Sequence, residues 1–266
     1  MINVAILGVS GRMGRCLVRA IREAGDLRLS GALASPQSAS LGRDAGEVAL
    51  AGPVAIEVTS DRSRALANAA IAIDFTLPEA LADNLTAVGA RHIPIVIGTT
   101  GLDPERHALI RRASENLPVL VAPNMSLAVN LFFSLVGSAA AALPGQYDIE
   151  IVEAHHRHKA DAPSGTALRL GEIAAGARNT TLGNVGIYSR AGSATARLPG
   201  AIGFSSIRAG DIIGEHHVLF AGDGETLELV HRATDRMTFA HGALAAARWL
   251  AGRQPGLYGM ADVLGL

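Results

Sequence analysis

The sequence predicts an α/β fold, a doubly wound parallel sheet, together with a second α+β domain that contains a mixed or antiparallel sheet. In the first third of the chain, short apolar runs alternate with helical stretches. Strands that alternate with helices pair in parallel through right-handed crossovers. In the second half, strands of alternating polarity are joined by Asp223-Gly224, a strong signal for a two-residue hairpin.

The strands of the first domain are predicted at four apolar runs, with an amphipathic helix from about Met13 to Ala24 after the first of them. These runs are VAILG ending at Gly8, DLRLSGAL, AIAIDFT from Ala70 and IPIVIGTT from Ile93. Ligands of such sheets bind at the carboxyl ends of the strands. The segments GVSGRMG, DFT and GTTG follow three of these ends and are therefore the predicted binding loops.

The second domain is expected to contain the strand DIEIVEAH from Asp148 and the hairpin GEHHVLFAGDGETLELVHRA. The apolar segment from Leu127 to Leu143 includes Asn130 and three Ser or Gly residues. It falls short of the about 20 apolar residues that span a membrane. We therefore expect a buried helix there and no membrane partner. A last helix, FAHGALAAARWLAG, is expected to pack back on the first domain.

Composition narrows the function classes. The chain has 266 residues, of which 49% are hydrophobic, and a formal net charge of −1. Such a chain is globular and has no overall basic field for nucleic acid. Its single cysteine, Cys16, excludes an internal disulfide and is typical of a reducing compartment. The N-terminal segment MINVAILG lacks the basic region of a signal peptide. We expect a cytoplasmic protein.

A glycine-rich turn follows the first predicted strand. Gly8, Gly11 and Gly14 form GxxGxxG, and Ser10 stands where the common GxGxxG pattern has its second glycine. Glycine permits the tight turn, and the backbone amides of the turn can face a pyrophosphate at the start of the following helix. The turn alone is weak evidence, but its position after the first strand of an α/β unit favours a nucleotide site.

The segment EAHHRHKADAPSGTA, residues 153 to 167, concentrates titratable and cationic side chains. A metal site is disfavoured because His155 and His156 are adjacent and Lys159 would repel a cation. Single-stranded nucleic acid would call for aromatic stacking platforms, which this segment lacks. A small dianion would suit Lys159 and the helix start at Ser164, with a histidine left for proton transfer. A solvated basic loop beside a helix cap is the alternative.

Together these motifs resemble the dihydrodipicolinate reductase family, also called 4-hydroxy-tetrahydrodipicolinate reductase, of the bacterial diaminopimelate and lysine pathway. The resemblance covers essentially the whole chain. It is carried by EAHHRHKADAPSGTA, GVSGRMGR, DFTLPEA, VIGTTG, APNMSLAVN and GEHHVLF. The histidine segment is the most specific of these motifs.

The resemblance implies a Rossmann-type dinucleotide-binding domain over residues 1–126, rejoined by residues 236–266. Residues 127–235 would form the substrate-binding domain, whose sheets assemble a homotetramer. The implied reaction is the reduction of 4-hydroxy-tetrahydrodipicolinate, a small dicarboxylate, to tetrahydrodipicolinate by NADPH or NADH, with net loss of water.

By the same resemblance, His155 is the proton donor and acceptor, and Lys159 is the second catalytic group. His156, Gly165 and Thr166 would hold a substrate carboxylate. Arg236 is either a partner of the second carboxylate or part of a surface salt bridge. The residues expected at the cofactor are Gly8, Val9, Ser10, Gly11, Arg12, Met13, Ser35, Phe75, Thr76, Gly98, Thr99, Thr100, Ala122, Pro123, Asn124 and Met125.

One position departs from the pattern of sites that prefer NAD. About 20 residues after the glycine turn such sites carry an acid on the ribose, whereas this chain has Ala34 followed by Ser35. We therefore expect NADPH to be used at least as well as NADH, with Ser35 and Arg12 near the phosphate. The other functions considered are a different amino-acid dehydrogenase and a non-catalytic dinucleotide-sensing protein, neither of which would share the histidine segment.

Overall fold

The computed structural model describes residues 1–192 and 196–266. Its contacts divide the chain into two compact units. Unit 1 contains Met1–Leu127 and Arg236–Leu266, and unit 2 contains Ala128–Asp235. Unit 2 is therefore one continuous segment inserted into unit 1.

The secondary structure follows in chain order. The strands are β1 (Ile2–Leu7), β2 (Leu27–Leu33), β3 (Val58–Thr59), β4 (Ile71–Asp74), β5 (Ile95–Ile97), β6 (Pro118–Val121), β7 (Asp148–His155), β8 (Gly186–Ile187), β9 (Ile202–Arg208), β10 (Gly214–Gly222), β11 (Glu225–Ala233) and β12 (Gly256–Tyr258). The helices are α1 (Arg12–Glu23), α2 (Ala45–Val48), α3 (Arg62–Leu66), α4 (Leu81–Gly89), α5 (Pro104–Ser114), α6 (Leu127–Ala142), α7 (Gly165–Ala177), α8 (Leu182–Val185), α9 (Met237–Leu250) and α10 (Met260–Leu264).

The sheet of unit 1 is parallel throughout. Among the described residues, seven strands pair in the order β12-β6-β5-β4-β1-β2-β3. Successive strands run outward from β1 in both directions, so the strand order reverses between β1 and β4. The carboxyl ends at such a reversal form the crevice in which open α/β sheets bind ligands. The glycine turn after β1 and the segment after β4 both lie there, which confirms the predicted fold class.

Helices cover both faces of this sheet. One face packs against α1 and α9, which contribute Leu17, Ile21 and Leu244 to a buried core. The other face packs against helices that include α4 and α5, with Leu85 and Ile110 buried. The predicted return of the last long helix to the first domain is confirmed, because α9 lies in unit 1 and is buried along one side.

The sheet of unit 2 is mixed. In the described part of the chain its order is β11-β10-β7-β9-β8, with β11, β10 and β7 antiparallel and β7, β9 and β8 parallel. The predicted hairpin of β10 and β11 turns at 223–224, where Gly224 has φ +84°. One face of the sheet packs on α6 and α7 around Phe132, Leu170 and Phe220. The opposite face exposes apolar side chains that include Ile207 and Val230.

We predicted a buried helix from Leu127 to Leu143, and this prediction is wrong for one face of the helix. The helix exists as α6, but it buries one face only, through residues such as Phe132 and Val136. Leu127, Leu131 and Leu135 are 37%, 43% and 47% exposed. Their four-residue spacing aligns them in one stripe on the side of the helix away from the core. Because the segment is apolar on all sides, its sequence does not indicate which side is exposed. No helix in 1–192 or 196–266 has the length and hydropathy to cross a membrane.

Candidate active site

The glycine turn after β1 is built by close backbone approaches. Gly8 has φ +90°, and a Cβ there would lie 2.7 Å from the carbonyl oxygen of Phe75. A Cβ on Gly14 would lie 2.3 Å from the carbonyl oxygen of Gly8. These two positions therefore require glycine for the turn and for the packing of α1 on it. Gly11 caps α1 without a side chain, and no acid lies in the first turn, so this helix start suits a bound phosphate.

A cavity of about 340 Å³ opens beside this turn. The predicted cofactor residues that line it are Gly8, Ser10, Gly11, Ser35, Phe75 and Thr76. Ser60, Arg62 and Asn84 also line it and were not predicted. Arg12 is exposed at the start of α1 and is not among the lining residues, whereas Val9 is fully buried and Met13 packs on the core. The arginine of this cavity is therefore Arg62.

A buried carboxylate organises the loop after β4. Asp74 is fully buried and accepts hydrogen bonds from the amide nitrogen and Oγ1 of Thr76, at 2.8 and 2.6 Å, and from Nδ2 of Asn84, at 2.9 Å. Burial raises the pKa of the Asp74 carboxyl. The Oδ1 atom of Asn84 accepts from Nε of Arg62 at 2.9 Å. This chain of bonds fixes Thr76 and Arg62 at the cavity wall.

The predicted loop after β5 lies against the same segment. The Oγ1 atom of Thr99 donates to the carbonyl oxygen of Thr76 at 3.1 Å. A Cβ on Gly98 would lie 2.3 Å from the ring of Phe75, so glycine makes room for that ring. Thr100 is exposed. The structure thus brings together the predicted loops after β1, β4 and β5.

In unit 2, the histidine segment begins at the end of β7. His155 is 9% exposed, and its Nδ1 lies 2.6 Å from Oε2 of Glu153. Its ring meets the ring of His216 edge to face, with centroids 5.2 Å apart. A Cβ on Gly214 would lie 3.2 Å from Nε2 of His155, so a side chain there would crowd that atom. The contact with Glu153 therefore holds the His155 ring at its Nδ1 side.

Lys159 lies in the turn that follows. Its Nζ is 2.8 Å from Oδ1 of Asp161, and its side chain is 23% exposed. The hydrogen bond from Lys159 lowers the pKa of the Asp161 carboxyl. The amide of Lys159 also donates to the carbonyl oxygen of His156 at 3.0 Å, which closes the turn. Asp161 was not predicted, and it balances the lysine charge before any substrate arrives.

The predicted helix start at the SGT sequence is confirmed. Ser164 is the N-cap of α7, and its Oγ accepts from the amide of Ala167 at 3.2 Å. Gly165 is exposed, and a Cβ there would meet nothing within 4 Å. The first turn carries no acid, so its positive end suits a carboxylate. His155, His156, Lys159, Gly165 and Thr166 all belong to this one connection between β7 and α7.

A second buried carboxylate, Glu153, was missed as a functional residue. It is 1% exposed and contacts His155, Arg208 and the amide of Ser164. The alternation of DIEIVEAH contained the signal, because Glu153 shares the inward face of β7 with Ile149 and Ile151. Over 1–192 and 196–266, no three His, Cys, Asp or Glu side chains are grouped to hold a metal ion.

Comparison with known proteins shows which family the chain belongs to. The family models described as dihydrodipicolinate reductase N-terminus and C-terminus match residues 2–125 and 128–264. The chain belongs to the dihydrodipicolinate reductase family. The 4-hydroxy-tetrahydrodipicolinate reductases of Nitrosomonas europaea and Thiobacillus denitrificans are each 50% identical to it over 265 residues, covering 100% of this chain and 98% and 99% of theirs.

A solved structure agrees with this family assignment. The dipicolinate-bound dihydrodipicolinate reductase from Paenisporosarcina sp. TG-14 is 25% identical, with a TM-score of 0.77 and 98% of each chain covered. An amine dehydrogenase from Mycobacterium smegmatis, at 12% identity and a TM-score of 0.56, shows the fold alone. The sequence resemblance to the dihydrodipicolinate reductases is thereby confirmed.

The remaining predicted residues lie in unit 1, close in sequence to the two positions where the chain passes between the units. Arg236 is the N-cap of α9 and belongs to unit 1. In the loop after β6, Ala122 and Met125 are buried and Pro123 is exposed, while Oδ1 of Asn124 accepts from the amide of Ser126 at 2.9 Å. Their roles toward substrate and cofactor stay predictions.

Proposed function

We propose that the chain reduces 4-hydroxy-tetrahydrodipicolinate to tetrahydrodipicolinate with NADPH or NADH, in the diaminopimelate route of lysine biosynthesis. The observation that carries the proposal is the His155–Glu153 pair at the end of β7, next to Lys159 and the start of α7. The relatives that carry this activity in their names match the whole chain. Coupling the purified protein to a dihydrodipicolinate synthase and following nicotinamide absorbance tests it directly.

The proposed division of labour follows the two units. The glycine turn and the start of α1 in unit 1 fit the pyrophosphate of the dinucleotide, and the loop after β2 fits its adenosine ribose. The nicotinamide of the bound cofactor supplies the hydride. In unit 2, the start of α7 and the charge of Lys159 would hold a substrate carboxylate. Arg236 is proposed for the second carboxylate.

The chemistry requires a cation and an acid. Hydride addition to a conjugated imine places negative charge on the ring, which a nearby ammonium stabilises in the transition state. Lys159 supplies that ammonium. An acid must then deliver a proton to the enamine carbon or nitrogen, and imidazole gives and regains a proton near neutral pH. His155 supplies it through Nε2, because Nδ1 is occupied by Glu153.

The two alternative functions account for fewer of the sequence motifs than the proposed reductase activity does. A non-catalytic dinucleotide sensor would need unit 1 alone, whereas the family match extends through residues 128–264. Another amino-acid dehydrogenase would share the nucleotide-binding sheet without the histidine segment. The proposed location is the cytoplasm, whose reducing conditions suit a chain with one cysteine, Cys16.

We predict that Ala34→Glu shifts cofactor preference toward NADH. A carboxylate at the end of β2 would accept bonds from the ribose hydroxyls and repel a 2′-phosphate. The ratio of kcat/KM for NADH over NADPH should rise by about 5- to 30-fold, which corresponds to about 1 to 2 kcal/mol, the scale of a hydrogen bond to a charged group. Ala34→Gln is the matched control, since it adds the same bulk without charge and should shift the ratio less.

The wild-type preference belongs to the same experiment. Ser35, Ser60 and Arg62 line the cavity beside Ala34 and provide two hydroxyls and a cation for a phosphate. We therefore expect NADPH to be used at least as well as NADH. A wild-type enzyme that strongly prefers NADH would contradict this assignment of the loop.

We also propose that the chain forms a homotetramer through unit 2. Strand β11 is an edge strand with most of its residues exposed, and Ile207, Leu227 and Val230 are 48%, 42% and 46% exposed. An apolar edge and face of this kind are commonly covered by a second copy. Light scattering at micromolar concentration should give the mass of four chains, and a monomer would refute the proposal.

A variant locates the interface. Val230→Asp places a charge on the exposed face of β11 and should reduce the tetramer fraction. Leu257→Asp in unit 1, at a side chain that is also 46% exposed, is the matched control and should leave the mass unchanged.

A further inference from the structure

Glu153 occupies a position where a carboxylate is costly unless it is fully paired. It lies on the helix-covered face of β7, 1% exposed, in line with Ile149 and Ile151. Its Oε1 accepts from Nη2 of Arg208 at 2.7 Å and from the amide of Ser164 at 3.2 Å. Its Oε2 accepts from Nη1 of Arg208 at 2.8 Å and lies 2.6 Å from Nδ1 of His155. Both oxygens are thus saturated.

These contacts settle the ionisation of the carboxylate. Burial opposes its charge, but the hydrogen bonds from His155 and Arg208 outweigh burial and hold the pKa of Glu153 far below its usual range. The hydrogen bond with Glu153 in turn raises the pKa of Arg208. An ionised carboxylate only accepts hydrogen bonds. Nδ1 of His155 must therefore carry the proton of that bond, which leaves Nε2 as the atom that exchanges a proton with a ligand.

The carboxylate also holds the start of α7. Its bond to the amide of Ser164 fixes the residue whose Oγ caps the helix through Ala167. That same Oγ lies 3.0 Å from Nε2 of His216, whose ring packs edge to face on His155. Burial lowers the pKa of His216 to about 3, so this neighbour is a neutral imidazole. His155 and the α7 start are therefore held in register by one carboxylate.

We propose that Glu153 is the positioning residue of this enzyme, which orients His155, fixes its tautomer and aligns it with the anion-binding end of α7. The proposal rests on the proposed function, in which His155 moves the proton. Arg208 supports it by keeping the carboxylate charged. Because β7 and β9 are paired strands, with His155 opposite Arg208, the sheet sets this geometry and no ligand is needed to form it.

The first test is Glu153→Gln, which keeps the shape of the side chain and removes its charge. We expect kcat to fall by roughly 10²- to 10⁴-fold, the cost of a proton-transfer group that is misplaced or held in the wrong tautomer. KM for NADPH should stay unchanged. Glu150→Gln is the matched control, because Glu150 lies on β7, on the opposite face, and also pairs with arginines, Arg190 and Arg197. Its kcat should equal that of the wild type.

The pH profile separates positioning from mere structural support. The groups around His155 are Glu153, Arg208 and His216, with His231 and Lys159 acting on His216. Removal of the one acid among them destabilises the imidazolium. The alkaline limb of kcat/KM should therefore move to lower pH by on the order of one unit in Glu153→Gln. A loss of activity with an unmoved profile would overturn the proposal.

A second variant guards against unfolding, because glutamine at 153 leaves the Arg208 charge unpaired in the protein. Glu153→Gln combined with Arg208→Met removes both charges and should restore the melting temperature toward that of wild type without restoring kcat. Recovery of kcat in the double variant would also overturn the proposal.

Nuclear magnetic resonance of the His155 ring distinguishes this inference from the proposed function. The nitrogen shifts should report a proton on Nδ1 in the wild type and a mixture of tautomers in Glu153→Gln. If the wild-type protein gives no reduction in the coupled nicotinamide assay, the proposed function fails, while the tautomer measurement still decides whether Glu153 orients His155. If His155→Gln is inactive but Glu153→Gln keeps the wild-type rate, pH profile and tautomer, the positioning role fails alone.

Discussion

His155→Gln should lower kcat by roughly 10²- to 10⁴-fold, which is the usual contribution of a positioned acid or base. Glutamine keeps a hydrogen-bonding group near Glu153 but cannot deliver a proton near neutral pH. Because His155 does not line the cavity proposed for the cofactor, cofactor affinity should not change. Steady-state kinetics together with NADPH titration by fluorescence measure both quantities.

The control lies three residues further along the same cluster. His158 is exposed, and its ring is 6.3 Å from that of His156. His158→Gln removes one titratable ring from the segment and should leave kcat as it is. Equal losses in both variants would mean that the cluster acts through its overall charge, and an unchanged kcat in His155→Gln would remove it from the proton-transfer role.

Lys159→Ala should lower kcat/KM by about 10²- to 10³-fold, the range observed when one electrostatic stabiliser is removed from a transition state. Both KM for the dicarboxylate and kcat should worsen, because in the proposed mechanism the ammonium meets the substrate charge and the charge that develops during reduction. Initial rates over a range of substrate concentrations separate the two effects.

Asp161 provides the control for Lys159. Its carboxylate is 59% exposed, so loss of the ion pair should change the free energy of unfolding by less than about 1 kcal/mol. Asp161→Asn frees the lysine charge and should lower KM for the substrate or leave it unchanged. If Lys159→Ala alters only the melting temperature, the lysine is a structural residue.

The first sheet could be predicted because its strands are buried on both faces and therefore appear as continuous apolar runs. This holds for β1, β4 and β5, whose carboxyl ends carry the conspicuous loops. By contrast, β3 is two residues long and leaves no such run. Ser60 and Arg62 lie within three residues after it, so their place in the cavity beside the glycine turn was not apparent from the sequence.

In the histidine segment, too, the sequence predicts local features but not contacts between residues that are distant in the chain. The turn, the cap at Ser164 and the burial of Glu153 follow from local pattern and alternation. The partnership of Glu153 with Arg208 depends on the pairing of β7 with β9, across 55 residues of chain. Single-sequence patterns do not state which strands become neighbours, and for this reason the positioning of His155 emerged only from the structure.

The return of the chain into unit 1 has a consequence for folding during synthesis. The core of unit 1 includes Ala243, Leu244 and Leu250 of α9 and Met260 of α10, and β12 pairs with β6 at the edge of its sheet. The ribosome releases these residues after residues 128–235, which by then have emerged as a complete unit. We expect unit 2 to reach its native fold first, while the nascent nucleotide-binding half exposes an unfinished apolar face until α9, β12 and α10 have emerged.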